Sequence, residues 1–166
     1  MLELLVVMII IAILAGLLFP AIRAVRRHTR EVVAKTEVKS IETAWKQYYT
    51  QYKKWPTFAE ETDIAITGEV ARVLQGEYSS ENNPRKLKFM EFSRFNSSAD
   101  PVNPWWLAKT ASENYCYYVK FDTDYDGWLK VGVPPTNMVR RSVIVWTINS
   151  DMSPGEDGYI IGSWRQ

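Results

Sequence analysis

The sequence predicts an α+β fold: a long N-terminal α-helix, with a transmembrane half and an amphipathic half, packed on a small C-terminal antiparallel β-sheet. Three observations predict it. Residues 1–22 are apolar apart from Glu3, residues 34–52 carry an apolar stripe at helical spacing, and the chain beyond Pro56 holds three strand-like runs.

Between Leu4 and Phe19 no side chain is polar, and the first cation is Arg23. At about 1.5 Å of rise per residue, such a run reaches roughly the 30 Å of a bilayer core. A secretory signal peptide has its basic residues ahead of a shorter apolar core and ends on a small-residue cleavage site. Here the basic cluster Arg23, Arg26, Arg27 and Arg30 follows the run instead, so an uncleaved span is expected. An isolated acid near the hydrocarbon edge costs about 3 kcal/mol. Glu3 is therefore a functional candidate that needs a partner; the plain alternative is a carboxylate snorkelling to the headgroups.

From residue 21 to about residue 54 there is no Gly and no Pro. Ala34, Val38, Ile41, Trp45, Tyr48 and Tyr52 recur at alternating steps of four and three, one stripe on one helix face. Pro56 stops the helix. A helix from near residue 1 to 54 is about 80 Å long. Pro20 lies inside it and is expected to kink or locally melt the hydrogen-bond ladder, with Gly16 one turn earlier easing that. Residues 23–54 carry nine Lys/Arg against three Glu, net +6; residues 55–166 carry eleven against fifteen Asp/Glu, net −4. The basic stretch suits anionic headgroups or the acidic heads of other copies, and equally a solvated helix face. No nucleic-acid partner is expected. Positive-inside counting sets Arg23 to Arg30 on the cytoplasmic side, opposite to what the resemblance below implies.

The chain thus divides into a span (1–22), an amphipathic continuation of the same helix (23–54) and a globular head (55–166). In the head, Leu74-Gln75-Gly76 ends a short helix, and residues 85–95 offer Leu87, Phe89, Met90, Phe92 and Phe95 for packing. Strands are expected at residues 115–121, 128–133 and 139–148, laid on the amphipathic half of the helix. Cys116 has no second cysteine to pair with and reads as a small buried hydrophobe. His28 is the single histidine, and no nucleophile elbow or phosphate loop accompanies it; no enzyme is expected. Asp122, Asp124 and Asp126 before Gly127 match the opening of an EF-hand loop, but its twelfth position is Val133 rather than Glu. Calcium and a plain hairpin turn are both open readings there.

Leu2-Glu3-Leu4-Leu5-Val6-Val7, the Ile/Leu/Ala run after it, Gly16 and Pro20 resemble the stem of type IV pilins and of type II secretion pseudopilins. That family's mature chain begins Phe-Thr-Leu-(Ile/Leu)-Glu after a leader is cleaved. Taking Met1 as the third mature position puts Glu3 on the family's acid and Pro20 on its helix-breaking proline. The Phe-Thr pair is not in this sequence, so the resemblance implies a mature start two residues before Met1. Further along, Tyr48-Tyr-Thr-Gln-Tyr-Lys-Lys-Trp-Pro-Thr57, Asp100-Pro-Val-Asn-Pro-Trp105, Ser153-Pro-Gly-Glu-Asp157-Gly158 and Ile161-Gly-Ser-Trp164 are similar to segments of the major pseudopilins.

The resemblance implies a homo-oligomeric helical filament built by stem packing, with Glu3, Gly16 and Pro20 as assembly residues. Glu3 would pair with a neighbour's N-terminal amine. It implies prepilin peptidase and inner-membrane assembly machinery as partners, an N-terminal methyl group, and passage from the inner membrane to a periplasmic or extracellular filament. It also implies calcium in the last loop, at Asp157 with Asp151 and Glu156 as helpers, although the family's second aspartate is replaced by Tyr159-Ile160. Two alternatives remain: a minor or tip adhesin, for which Trp105-Trp106 would be exposed, and a membrane-tethered binding domain that never polymerises.

Overall fold

The computed structural model describes residues 2–60, 62–77, 81–106, 115–131 and 138–164. Helix α1 spans Leu2–Tyr52. After it come strand β1 (Ile64–Ala65), helix α2 (Gly68–Gln75), β2 (Tyr117–Phe121), β3 (Leu129–Lys130), β4 (Met138–Val139), β5 (Val143–Ile148) and β6 (Ile160–Gly162). A long helix on a small antiparallel sheet is the observed layout. The sheet runs β1-β2-β5-β6, with Val119 opposite Val145 at its centre, and β3 and β4 form a separate two-stranded ribbon.

The apolar stripe is the seam between helix and sheet. Ala34, Val38, Ile41, Trp45 and Tyr48 are at most 1 % exposed. They share one core with Tyr117, Val119, Phe121, Val143, Val145 and Ile161. Along β2 alternate residues are buried, as expected of a strand covered on one face. β5 is buried on both: Val143 and Val145 join the helix side, while Ile144 packs with Leu129 and Val131 beneath the ribbon. Its unbroken Val-Ile-Val-Trp run follows from that double cover. The aromatic residues knit the same core. Trp45 meets Phe121 edge-on at 5.0 Å, and Trp55, also 5.0 Å from Phe121, donates its indole N–H to the Asp122 carbonyl at 2.8 Å.

The structure departs from the sequence expectations in several places. α1 continues through Pro20 without interruption, so the ladder is not melted there in the single chain. Pro20 still has no N–H to give the Gly16 carbonyl, which leaves this turn the weakest of the stem. The helix stops at Tyr52, just before Lys53 turns into the left-handed region at φ 56°. The single strand expected at 139–148 is two, β4 and β5, in different sheets. Arg140-Arg141-Ser142 separates them, because an unbroken strand would aim one of two adjacent arginines into the core. Val133, Pro134 and Pro135 lie outside the described residues. Residues 85–95 form no regular element, though Phe92 is buried and Phe89 and Met90 pack against the core. Cys116 is half-buried rather than buried.

Gly76 ends α2 at φ 66°, where its N–H reaches the Arg72 carbonyl. A β-carbon there would come within 2.7 Å of the Lys86 carbonyl and 2.8 Å of that of Leu87. Gly76→Ala is expected to cost about 2 kcal/mol or more; an unchanged melting temperature would contradict this.

Tyr48 donates to the Asn82 carbonyl at 2.7 Å. Burial, then the neighbouring Tyr52, push its pKa up to about 12. Burial and the Glu37 carboxylate push Tyr117 in the same direction. An unfolded tyrosine loses its proton near pH 10, so the folded state holds these protons longer. That stability is complete below about pH 10 and is lost as pH rises through about 12. The urea midpoint should fall across this interval, and less steeply in Tyr48→Phe. A midpoint flat to pH 12 would refute it.

Candidate functional site

The first half of α1 stands clear of the head. Fourteen large apolar side chains from Leu4 to Val25 are each 38–70 % exposed. Burying a Val, Leu or Ile side chain contributes about 1.5–3 kcal/mol, so leaving this surface in water costs on the order of tens of kcal/mol. By length and composition this helix can cross a membrane, and among the described residues none of its most apolar window is buried within the chain. Glu3 sits exposed in its first turn, where the helix dipole favours an acid. Gly16 and Pro20 lie about 20 and 25 Å further along the axis, and nothing within 4 Å would meet a β-carbon on Gly16.

The head takes hold of the helix one turn beyond the apolar surface. The Arg27 guanidinium contacts the Met152 sulfur, and Arg30 lies 3.8 Å from Asp151. Arg23, Arg26, Arg27 and Arg30 border one groove with Asp151, and His28 is exposed. Deeper in the seam, Glu37 accepts from the Tyr117 hydroxyl and from the Arg94 guanidinium. Glu42, 3 % exposed, is ion-paired with Lys46 at 2.6 Å and Lys39 at 3.9 Å. The positive charge of this helix is thus divided between solvent, Glu31 and the buried Glu42 of the same helix, and the last loop of the head.

The two acidic loops differ. Asp151 accepts from the Trp105 indole at 2.6 Å as well as facing Arg30. Glu156 accepts from the Ser153 amide at 2.8 Å. Asp157, exposed, borders a groove with Glu31, Lys35 and Lys39 of α1. Among the described residues these three carboxylates do not gather into a cluster of the size that one ion spans. Asp122, Asp124 and Asp126 do converge: one oxygen from each lies within 4.8 Å of the others, with Asp122 buried and the other two exposed. Burial, then the Asp124 carboxylate, hold the Asp122 carboxyl above its ordinary pKa.

Trp105 is 3 % exposed and Trp106 half-buried, so the open Trp pair of the adhesin alternative is absent. Sequence reasoning missed the Glu37–Arg94–Tyr117 cluster and the buried Asn83 and Asn103. Only the i, i+4 placement of Glu37 and Ile41 on the stripe's edge hinted at the first, and no local pattern marks the asparagines. Comparison with family models, with curated proteins and with solved structures finds no match to this chain.

Proposed function

We propose that this chain is a structural subunit of a helical filament of the type IV pilus or type II secretion pseudopilus kind. One observation carries the reading: a single 51-residue helix whose distal half is the core of a folded head and whose proximal half is an unpartnered apolar rod. Such a rod has two environments that hide it, a bilayer and a bundle of identical rods. Leaving the first for the second exchanges lipid contacts for packing between branched side chains. Glu3 gives the exchange its register. In a bundle its carboxylate needs a cation, and the N-terminal amine of a neighbouring copy supplies one without adding a side chain to the apolar core.

The weak turn at Gly16 and Pro20 lets each rod lengthen locally to match the rise between subunits. The collar of arginines from Arg23 to Arg30 lies at the boundary between rod and head, facing the acidic heads of adjacent copies. Maturation by a prepilin peptidase in the inner membrane would provide the free amine that Glu3 requires. The intact mass of the protein from its native cells tests this. A mature start two residues before Met1, at a methylated Phe, is expected. A mature chain starting at Met1 would count against the reading and favour a tethered head that does not polymerise.

A further inference from the structure

We propose that the loop between β2 and β3 binds calcium through the carboxylates of Asp122, Asp124 and Asp126. Their oxygens lie within 4.8 Å of one another, and two oxygens on opposite sides of one calcium ion, each about 2.4 Å from it, are about that far apart. The observation that points to a ligand is the state of Asp122. It is 4 % exposed, its Oδ2 accepts from the Gly127 amide at 3.0 Å, and its Oδ1 is buried with no hydrogen-bond partner. A buried carboxylate oxygen without a donor is costly, and a cation is the partner that satisfies it. Among the described residues no ion pair reaches Asp122, Asp124 or Asp126. Three acids held this close without an ion-pair partner repel one another, and a cation between them relieves that repulsion.

The spacing supplies the remaining ligand. Counting from Asp122, the acids fall at positions one, three and five, Gly127 at six with φ 81°, and Trp128 at seven, whose carbonyl completes this part of a calcium loop. The twelfth residue is Val133, so no bidentate Glu closes the sphere and water takes its place. A weak site follows, with Kd on the order of 10⁻⁴–10⁻³ M, the range of extracellular calcium modules. Magnesium is the poorer fit, because it demands a tight octahedron and keeps its water. The site belongs to the head and does not depend on the filament reading. Since the Asp122 carbonyl accepts from the Trp55 indole, occupancy should be visible in tryptophan emission.

The test is a CaCl2 titration of the full chain in detergent after chelator treatment, followed by calorimetry, tryptophan emission and thermal melting. One saturable site is expected, with a higher melting temperature in about 10 mM CaCl2 and at least about tenfold weaker response to MgCl2. Asp124→Asn and Asp126→Asn change exposed side chains, so they fold, and each should weaken calcium about tenfold or more. Asp157→Asn should leave the titration unchanged. No heat and no shift in about 10 mM CaCl2 would overturn the proposal. So would wild-type binding in both Asp124→Asn and Asp126→Asn, or loss of binding in Asp157→Asn alone.

Discussion

Glu3→Ala should leave the protein inserted in the membrane and remove its filaments. The substitution makes the span more apolar, so insertion cannot suffer. In the bundle it leaves a neighbour's amine unpaired in an apolar core, and breaking a buried pair in this way costs about 3–5 kcal/mol. At each subunit contact that is about a 10²–10⁴-fold loss of association, repeated at every step of growth. Membrane fractionation together with imaging of sheared surface material reads both halves of the prediction. Normal filaments from Glu3→Ala would reduce Glu3 to a snorkelling acid, and loss of the protein from the membrane would mean that the residue serves insertion instead.

The largest expected loss of head stability comes from Asn83→Ala. Asn83 is fully buried, and its amide donates to the Val73 carbonyl at 2.7 Å and the Leu87 carbonyl at 2.8 Å. Its oxygen accepts from the Leu87 amide at 2.9 Å and the Tyr52 hydroxyl at 2.6 Å. One side chain therefore ties the end of α1, the end of α2 and the loop that follows it. Truncation takes these bonds from the buried Val73 carbonyl and from three half-buried groups, the Leu87 carbonyl and amide and the Tyr52 hydroxyl, for about 3–5 kcal/mol in all. Asn82→Ala removes one side-chain bond, to the Thr57 amide, and should cost about 1 kcal/mol. Chemical denaturation of the two variants in detergent checks the ratio; equal effects would mean that Asn83 is not the anchor described.

The helix and its buried face were legible because both rest on periodicity. Ala34 to Tyr52 sit every three or four residues, and a stripe of that kind needs an apolar layer to cover it. β2 and the core of β5 were legible for other reasons, a strand-like aromatic and β-branched run in β2 and the unbroken Val-Ile-Val-Trp run in β5. β1 and β6, two and three residues long, lie below the length at which alternation can be seen. The break between β4 and β5 depends on which sheet each half joins, a choice that the sequence around Arg140-Arg141 does not advertise. Of the candidate site, the sequence shows that Glu3, Gly16 and Pro20 lie on one long apolar helix, because hydropathy alone decides that. The acidic loops were harder. Asp151 and Asp157 serve Trp105 and the groove beside Lys35 and Lys39, partners that the tertiary fold assigns, while Glu156 turns back to the Ser153 amide three residues earlier. Asp122, Asp124 and Asp126 converge because a tight turn at Gly127 folds them together, a local property that sequence does show.

The central claim is that the apolar rod is buried against the rods of other copies. Electron cryomicroscopy of filaments sheared from the native cells tests it most directly. The account predicts a core of parallel stems, with Glu3 of one copy beside the N-terminus of the next and the heads outside. Filaments whose axis is formed by heads, or cells in which the chain occurs only as single copies in the membrane, would contradict it.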